Sequence, residues 1–359
     1  MTQRERQILQ WIEQDPMISQ EALAEKAGIT RSSVAVHISN LMKKGYIVGK
    51  GYVLRTGTYA VVVGGVNMDI GGKSYNPLVP NDSNPGEVHM SLGGVGRNIA
   101  HNMALLGVET RLLTAFGDDL YAEKIAGSCG ELGIDISGAL KIPGASTSTY
   151  LYIAGPDGEM EMAVSDMDIC NEITPEYLAG KMNVLNNAQL VVADTNIPQE
   201  SLEFLAEHCS VPIFIDPVST AKAVKIKSIL DKIHTLKPNK LEAELLSGVK
   251  INGTQDLEKA ADILLDTGLR RVFISLGSDG VFAADHKEKM IVPCKKVKPL
   301  NMTGAGDAFM AGLVWAYLEG TDLKTTAIAA SSAGAIAIEG EDTINPQMSV
   351  KRLQEMMAR

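Results

Sequence analysis

The chain has 359 residues, of which 45% are hydrophobic and 21% charged, and its formal net charge is -10 at pH 7. Length and composition predict about two folded domains with buried cores, which excludes a disordered chain. The sequence has no long apolar run free of charge and begins with the charged segment MTQRERQILQ, so we expect a cytoplasmic protein without a signal peptide or membrane span.

The two ends of the chain differ in charge. Residues 1–57 contain eight Lys and Arg against five Asp and Glu, a local net charge of +3, so the remainder carries -13. Two parts with different binding partners are therefore expected, and we place their boundary between residues 56 and 57.

The first 56 residues are predicted to form three helices and a β-hairpin. Apolar residues recur at helical spacing in three segments, and Ser19 and Thr30 are candidate N-caps of the second and third helices. After Gly45 the run YIVGKGYVL alternates around a Gly-Lys-Gly turn, which predicts a compact hairpin with Lys50 at its tip.

The third helix carries candidate DNA-contacting residues in its first turns. These polar side chains are Arg31, Ser32, Ser33 and His37. Val34, Ile38, Leu41 and Met42 form the stripe that is expected to be buried. The arrangement resembles a winged helix-turn-helix DNA-binding domain, with Lys50 on the wing. A trihelical protein-interaction module is the alternative, and the basic wing and the local positive charge favour DNA.

From Tyr59 onward, short apolar runs alternate with segments of helical periodicity. The runs predicted to be strands are YAVVVGGVN, RLLTAF, AQLVVADTN, VPIFIDPV, HTLKPN and RVFISLG. Such alternation predicts an α/β domain with a mostly parallel, doubly wound sheet that is covered on both faces. Ligands of these sheets bind beyond the carboxyl ends of the strands, so we expect the chemistry there.

Two polar clusters suit the hydroxyls of a sugar. Asn67 and Asp69 leave the first strand two residues apart. Gly93 and Gly94 precede a helix that carries Asn98 in its first turns. Together they offer a carboxylate, side-chain amides and bare backbone.

A third cluster follows the strand in HTLKPN. Asn239 and Glu242 lie three residues apart and share one face of a helix. Glu242 could organise hydrated Mg²⁺, which prefers few carboxylates and many waters. An N-cap Asn with a Glu three residues later is the alternative, and this simple capping pair is the commoner meaning of the pattern alone.

The fourth cluster lies in NMTGAGDAFMAGL, residues 301–313. Gly304 and Gly306 are predicted to let the amides of residues 304–306 point into one concavity at a helix N-terminus, which binds an anion. Asp307, in the first turn, is expected to be kept ionised by the helix dipole and could accept a proton from an attacking hydroxyl. Gly312 is expected to let this helix approach the sheet. An Asp that only caps a helix after a glycine turn is the alternative.

Four motifs occur in the order seen in the ribokinase (PfkB) family of sugar and nucleoside kinases. They are GGVGRN (93–98), KPNKLEAE (237–244), SLGSDG (275–280) and TGAGDAFMAG (303–312). This resemblance covers about residues 58–359. It implies a ribokinase-like fold with a small β lid, here from about residues 71–91 and 146–165, and a phosphotransferase that uses ATP and Mg²⁺.

The resemblance also implies a role for each candidate residue. Asp307 is similar to the catalytic base, and the amides of Gly304, Ala305 and Gly306 are similar to the anion hole for the transferred phosphoryl group. The implied sugar-binding residues are Asn67, Asp69, Gly93, Gly94, Asn98 and Asn196. The implied ATP-binding residues are Asn239, Ser275, Gly277, Gly280 and Gly306, with Glu242 holding Mg²⁺ through water. K⁺ is a possible further cofactor by the same resemblance, but Asn301 replaces the Asp that many members have in their monovalent-cation loop, which puts K⁺ activation in doubt.

Further stretches resemble the pseudouridine kinases of this family. They are DSNPGEVHMSLGGVGRNIAHNMALLG, TSTYL, VADTNI, DPVS and IHTLKPNKLEAELLSG. The resemblance implies the 5'-hydroxyl of pseudouridine as the acceptor. Because pseudouridine kinases often lack the N-terminal module, a kinase for inosine, another nucleoside or a sugar is the alternative, and a nucleoside-sensing transcriptional regulator is an alternative of another class. Lids pair between two chains in many members, so we expect a homodimer that presents two helix-turn-helix modules to a palindromic DNA site.

Overall fold

The structure is a computed structural model that describes residues 1–15, 18–47 and 58–359. The chain divides into two units, Met1–Thr58 and Tyr59–Arg359. Lys50, the rest of the hairpin turn and the predicted boundary at residues 56 and 57 lie outside the described residues. Among the helices that are described, none has both the length and the apolar character needed to cross a membrane.

The N-terminal unit contains three helices that each begin at a side-chain cap. They are α1 (Gln3–Gln14), α2 (Gln20–Ala27) and α3 (Arg31–Lys43), and their N-caps are Thr2, Ser19 and Thr30. Ile8, Ile12, Leu23, Val34 and Leu41 form the centre of their shared core. Met42, which the sequence pattern places in the buried stripe, is instead 46% exposed, because its neighbour Leu41 takes the inward position in the last turn of α3.

A buried carboxylate joins the start of α1 to the end of α3. Glu5 accepts hydrogen bonds from the Thr2 N–H at 2.6 Å and from Lys44 Nζ at 2.8 Å. The hydrogen bond from Lys44 is the main reason that the pKa of Glu5 falls to about 2. The bond between residues far apart in sequence fixes the position of α3 in the unit.

The second unit is built from alternating strands and helices. Its strands are β1 (Ala60–Val63), β2 (Asn67–Ser74), β3 (Gly86–Gly93), β4 (Thr110–Leu113), β5 (Ala115–Phe116), β6 (Leu140–Lys141), β7 (Thr149–Ala154), β8 (Met160–Asp166), β9 (Val191–Asp194), β10 (Ile213–Asp216), β11 (Thr235–Leu236), β12 (Arg271–Ser275), β13 (Val281–Asp285) and β14 (Lys289–Val292). Its α-helices are α4 (Val95–Leu105), α5 (Leu120–Glu131), α6 (Pro175–Ala179), α7 (Met182–Asn187), α8 (Gln199–His208), α9 (Thr220–Ala223), α10 (Lys240–Ser247), α11 (Thr254–Asp266), α12 (Ala305–Leu318), α13 (Leu323–Ile338) and α14 (Val350–Ala358). Short 3₁₀ helices cover Asp168–Glu172, Val224–Lys232 and Gly277–Asp279.

The central sheet has eight strands in the order β14-β13-β12-β11-β10-β9-β1-β4. The strands from β4 to β12 in this order pair in parallel, and β13 and β14 continue the sheet as an antiparallel edge. Val61 and Val63 point into one hydrophobic core and Val62 into the other, since successive side chains of a strand face opposite sides. The predicted mostly parallel, doubly wound α/β architecture is confirmed.

Helix α12 packs closely against α13. A Cβ added at Gly312 would lie 2.8 Å from the Cα of Ala330 and 3.0 Å from the Cβ of Ala333. The partner of Gly312 is therefore α13 and not the sheet, which corrects the expectation from sequence. This contact fixes the position of the α12 N-terminus, where the fourth motif lies.

A second sheet of four strands, in the order β3-β2-β7-β8, includes most of the segments predicted as a lid. Strand β2 begins at Asn67 and pairs antiparallel with β3, so that Asn67 lies opposite Gly93 at the base of this sheet. The base of the lid thus carries residues from both of the polar clusters that suit a sugar.

Candidate active site

Polar residues lie at the carboxyl ends of neighbouring parallel strands. Asp194 ends β9, Asp216 ends β10, Lys237 follows β11 and Ser275 ends β12. Because parallel strands place their carboxyl ends on one edge of the sheet, these residues come to the same side of the unit. Helix α12 begins there as well.

The two glycines of the GAG segment are needed for different physical reasons. Gly304 is the N-cap of α12 with φ of 80°, a left-handed conformation, and an added Cβ would lie 2.2 Å from the carbonyl oxygen of Thr343. Gly306 is already helical, and its missing Cβ leaves room for Lys237 Nζ, which lies 3.0 Å from where that Cβ would be. Only Gly304 therefore supplies the conformational freedom that the sequence pattern suggested for both.

The first turn of α12 has no side-chain cap. Its N–H groups have no acceptor within the helix, so they are available to an anion. Ala305 and Gly306 line a cavity of about 620 Å³ together with Lys237, Ser275 and Gly277. The arrangement suits a phosphate group at the end of an elongated ligand.

Asp307 lies in the first turn of α12 and contacts α4. Its Oδ2 accepts a hydrogen bond of 2.9 Å from Asn98 Nδ2. Burial, helped by the nearby charge of Asp216, raises the pKa of Asp307 to about 7, against the opposing effects of Asn98 and Lys237. The direction of this pKa shift is opposite to the expectation that the helix dipole keeps the carboxyl ionised, because burial disfavours the charged form.

The predicted sugar-binding residues of the first two polar clusters lie close together, and Asn98 joins them to Asp307. Asn67 Nδ2 donates a hydrogen bond of 2.5 Å to Asp69 Oδ1, and a Cβ at Gly93 would lie 2.2 Å from Asp69 Oδ2. Gly94 has φ of 95°, and a Cβ there would lie 2.5 Å from the backbone of Gly65. Burial raises the pKa of Asp69.

Arg97, which sequence reasoning left without a role, orients the side chain of Asn98 through a hydrogen bond to its oxygen. It is buried, and its Nη1 donates to the carbonyl of Leu92 at 3.0 Å and to Asn98 Oδ1 at 3.3 Å. Its Nη2 donates to Ser128 Oγ at 3.1 Å. The sequence signal was a charged residue between the glycines and Asn98 in GGVGRN.

Asn196 lies beside the backbone that leads into β2. A Cβ on Gly65 would lie 3.3 Å from both Cβ and Nδ2 of Asn196, and Asn196 Oδ1 accepts a hydrogen bond of 2.5 Å from Lys222 Nζ. The backbone N–H groups of Asn196 and Gly65 donate to Asp194 at 2.8 and 2.9 Å. Burial raises the pKa of Asp194 to about 6. Lys222 was missed because Asn196 is distant from it in sequence, and Asp194 because its contact with Gly65 joins the end of β9 to the loop after β1.

Asn239 and Glu242 form the capping pair that was the alternative to a metal site. The Asn239 N–H donates to Glu242 Oε2 at 2.8 Å, the Glu242 N–H donates to Asn239 Oδ1 at 2.9 Å, and Asn239 Nδ2 donates to Glu242 Oε1 at 2.9 Å. Glu242 is nevertheless buried near charged groups, and burial together with Asp216 raises its pKa. The cap therefore holds a carboxylate in place at the sheet edge.

The loops around the predicted ATP-binding residues form two neighbouring cavities. Asn239 lines one of about 670 Å³, and Ser275 and Gly277 line both this cavity and the cavity of about 620 Å³ that reaches α12. Gly280 has φ of 104°, and a Cβ there would lie 2.1 Å from the carbonyl of Val292. This glycine closes the turn between β12 and β13.

Asp216 and Lys237 form a buried ion pair that sequence reasoning did not assign. Lys237 Nζ lies 3.0 Å from Asp216 Oδ2, and the two side chains are only 9% and 6% exposed. The other carboxylate oxygen of Asp216 accepts a hydrogen bond of 2.9 Å from the N–H of Val218, whose φ is 62°. Both residues lie within stretches that carried the family resemblance, KPNKLEAE and DPVS, but neither motif revealed that they meet.

Asn301 joins two loops next to the α12 N-terminus. Its Nδ2 donates to the carbonyl of Glu341 at 3.0 Å, and its Oδ1 accepts from the Thr303 N–H at 2.8 Å. The amide side chain thus provides both a donor and an acceptor to these loops.

Helix α3 of the N-terminal unit presents only part of the predicted DNA-contacting set. Arg31 and Ser32 are exposed, and Arg31 forms an ion pair of 3.0 Å with Glu21. The hydroxyls of Ser32 and Ser33 each lie 2.9 Å from Thr30 Oγ1. His37 is half-buried, and in the described part of the chain its Nδ1 has no hydrogen-bond partner.

Sequence reasoning missed Val36, which lies on the outer side of α3 and is 59% exposed. This apolar residue lies on the same helix as the exposed Arg31 and Ser32.

Comparison with family models finds two matches along the chain. A model described as pfkB family carbohydrate kinase matches residues 57–350. A model described as winged helix-turn-helix DNA-binding matches residues 1–48.

Two relatives from Escherichia coli (strain K12) have about the same identity but different extents. The uncharacterized sugar kinase YeiI is 40% identical over 353 residues, which cover 97% of each chain. The pseudouridine kinase is 41% identical over 300 residues, which cover 83% of this chain and 96% of the relative. The first match necessarily takes in the N-terminal unit, whereas the second has about the length of the second unit alone.

Solved structures share the fold of the second unit. A carbohydrate kinase from Agrobacterium tumefaciens superposes with a TM-score of 0.74 at 28% identity, covering 84% of this chain and 97% of the other. The ribokinase of Thermotoga maritima superposes with a TM-score of 0.76 at 24% identity, covering 84% and 99%, which shows the fold alone.

The raised pKa of Asp307 predicts that the free energy of unfolding falls as pH rises. Since its folded-state pKa of about 7 exceeds the unfolded value, the folded state loses stability as pH rises from about 4 to about 7. Asp307→Asn removes this loss. Between pH 5 and pH 7 the variant should gain about 2 kcal/mol in unfolding free energy relative to the wild type, at about 1.4 kcal/mol per tenfold change in proton affinity.

Urea denaturation in a Trp11→Phe background measures this gain, because Trp315 on α12 is then the single tryptophan and reports on the second unit. Parallel pH dependences of the two proteins would contradict the assignment.

Proposed function

Since the chain belongs to the pfkB family of carbohydrate kinases, we propose that it transfers the γ-phosphoryl group of ATP to the 5'-hydroxyl of a nucleoside, with pseudouridine as the substrate. The predicted family and the predicted class of enzyme, a phosphotransferase with an alcohol group as acceptor, are confirmed. One observation carries the finer proposal: Asp307, with a pKa near 7, lies between the free N–H groups of α12 and the polar residues at the base of the lid.

Asp307 has the proton affinity that a general base needs at neutral pH. In the proposed reaction its carboxylate takes the proton of the acceptor hydroxyl, while the bond from the γ-phosphorus to the ADP oxygen breaks and the bond to the acceptor oxygen forms. Asn98 keeps the carboxylate oriented through the 2.9 Å hydrogen bond. The N–H groups of Ala305 and Gly306 receive the negative charge of the phosphoryl oxygens.

The family uses ATP together with Mg²⁺, and the carboxylates near the phosphate end of the cavity fit a hydrated Mg²⁺ ion. No group of three or more His, Cys, Asp or Glu within residues 1–15, 18–47 and 58–359 could hold a metal directly. Glu242, fixed by Asn239, is the residue that would hold the ion through water, and the phosphates would supply the remaining ligands. When bound, Mg²⁺ neutralises charge on the phosphate oxygens.

The inner face of the lid favours a nucleoside over a free sugar. In the registers of β2 with β3 and β7, Asp69 lies beside Tyr150, and Gly71 lies between His89 and Tyr152, so these side chains share one face. His89 Nε2 and the Tyr152 hydroxyl are 2.7 Å apart, and a Cβ on Gly71 would overlap both rings. A planar base can pack against this aromatic group while Asp69 binds the ribose hydroxyls.

A different nucleoside, such as inosine, or a sugar remains the alternative acceptor. The observation that favours it is the match to the sugar kinase YeiI, which extends over both units at nearly the same identity as the match to pseudouridine kinase.

An acceptor screen tests the proposed substrate. Purified full-length protein with ATP and Mg²⁺ should consume ATP fastest with pseudouridine when compared with uridine, inosine, ribose and fructose. Asp307→Asn should lower kcat by about 1,000-fold or more and leave the dissociation constant for the nucleoside within a few-fold, since the base acts only in the transition state. Below pH 7, wild-type kcat/KM should rise about tenfold per pH unit as Asp307 ionises.

Asp256→Asn is the matched control, because Asp256 has the same position in the first turn of α11. Its turnover should equal that of the wild type. Fastest turnover with a free sugar would reject the nucleoside assignment, and near-normal turnover of Asp307→Asn would reject the base.

The outer face of the lid supports a homodimer. Ile70, Val88, Met90, Leu151, Ile153, Met162 and Val164 share this face by the strand registers. Val88, Met162 and Val164 are 76%, 65% and 64% exposed. An apolar face of this kind marks an interaction surface, and a second copy of the lid would cover it by two-fold symmetry.

Met162→Glu combined with Val164→Glu should convert a dimer into a monomer, because two charges would be buried at the interface. Light scattering after size-exclusion chromatography measures the mass. Ile263→Glu, which places the same charge on an exposed apolar position of α11, is the control and should remain a dimer. A monomeric wild type, or a dimeric double variant, would contradict the proposed interface.

The N-terminal unit supports a second function, binding of DNA through α3. The observation that favours it is the exposed row of Arg31, Ser32 and Val36 on a helix whose unit matches a winged helix-turn-helix model. In the proposal these side chains enter the major groove, and Lys50 contributes a phosphate contact.

Selection from a random duplex DNA library with the full-length protein should enrich an inverted repeat, as two modules on a dimer require. Arg31→Ala should weaken binding to the enriched sequence by about tenfold or more, as loss of one Arg contact to a base or phosphate does. Lys227 is an exposed basic residue of the second unit, and Lys227→Ala should leave the affinity for the enriched DNA unchanged. Failure to enrich any sequence would favour a protein-interaction role.

A further inference from the structure

The ammonium group of Lys237 lies at the first turn of α12. It lies 3.0 Å from where a Cβ of Gly306 would be, and Lys237 lines the same cavity as Ala305 and Gly306. An ion pair with a purely structural role does not require the ammonium group to lie at the first turn of α12. The bare backbone at Gly306 is what admits it.

Asp216 fixes this ammonium group in place. One carboxylate oxygen pairs with Lys237 Nζ, and the other accepts the N–H of Val218. Val218 is a β-branched residue with φ of 62°, a conformation that costs free energy and persists where the surroundings impose it. The carbonyl of Pro217 accepts a hydrogen bond of 2.5 Å from Thr195 Oγ1, which braces the same turn.

The charge arrangement at this point is incomplete without an anion. A positive side chain at a helix N-terminus is unfavourable, because the helix dipole has its positive end there. Asp216 offsets one charge, and the first-turn N–H groups of α12 have no acceptor in the helix. An ammonium group and free N–H donors therefore converge on one place, which suits a multiply charged phosphoryl group.

We propose that Lys237 is a catalytic residue whose ammonium group contacts the phosphoryl group during transfer, and that Asp216 is the residue that positions it. This inference rests on the proposed kinase function. In the reaction Lys237 keeps its proton throughout: the acceptor proton goes to Asp307, ADP leaves with the bonding electrons of the broken P–O bond, and the ammonium group balances charge on the phosphoryl oxygens.

Lys237 also affects the base. Its charge lowers the pKa of Asp307, whereas the charge of Asp216 raises it. Charged and titratable groups facing Asp307 are Asp194, Asp216 and Lys237, and Asn98 is its hydrogen-bond donor. Loss of Lys237 should therefore shift the pH profile of kcat/KM to higher pH, an effect that a purely structural ion pair in a remote place would not have.

Lys237→Met is the first test. Turnover should fall about 100- to 1,000-fold, as it does when one transition-state donor is removed, with little change in KM for the acceptor. The variant should lose the preference of the wild type for ATP over ADP in equilibrium binding, because only ATP carries the phosphoryl group that Lys237 contacts. Lys289→Met, which removes the ion-paired partner of Asp262 at the far edge of the sheet, should match the wild type in each measurement.

A double variant separates catalysis from folding. Lys237→Met alone leaves the Asp216 carboxylate buried and unpaired, so it should also lower Tm. Asp216→Leu combined with Lys237→Met removes both charges and should recover Tm while turnover stays low. Recovery of turnover together with Tm would overturn the proposal, as would a folded Lys237→Met protein with turnover within about threefold of the wild type.

The binding comparison distinguishes failure of this proposal from failure of the proposed function. If the wild type phosphorylates none of the acceptors, the kinase assignment fails, but the ratio of ATP to ADP affinity still reports on Lys237. A ratio unchanged by Lys237→Met overturns the phosphoryl contact, and a ratio reduced to near one supports it.

Discussion

The close packing of α12 against α13 is the constraint on which the site depends. Gly312 allows the two helix backbones to approach, and the alanines of α13 at positions 330 and 333 provide the flat surface that it contacts. With the helix axis fixed in this way, the first turn of α12 is held at the carboxyl edge of the central sheet. Its N–H groups, Asp307 and the space beside Gly306 then have defined neighbours from β10, β11 and α4.

Much of the fold was predictable because its causes are local. Short apolar runs alternate with helical segments, and this periodicity indicates a parallel sheet covered on both faces. The N-caps at Ser19 and Thr30 are likewise local, since each depends on a hydroxyl three residues before the N–H that it accepts. The exposure of Met42 could not be judged from periodicity alone, because only the packing of α3 decides whether Leu41 or Met42 faces the core.

The electrostatics of the site were not predictable because they depend on residues distant in sequence. Asp307 has the appearance of a first-turn aspartate, for which the helix dipole favours ionisation, but burial and the charge of Asp216 reverse the direction of its pKa shift. The pairing of Asp216 with Lys237 and the bracing of Asn98 by Arg97 join separate motifs. The order of the motifs predicted which segments form the site. The reason that position 306 is a glycine became clear only from the nearby ammonium group of Lys237.

The space at Gly306 also constrains how the sequence can change over evolution. A methyl group at position 306 and a long basic side chain at position 237 compete for one volume, although nearly seventy positions separate them in the chain. An alanine at position 306 would force the Lys237 ammonium group to shift, so we expect the two residues to be inherited together. Homologues that carry alanine at the second glycine of this turn should carry a shorter residue at the position of Lys237, and the charge balance of their phosphate site should be set by other groups.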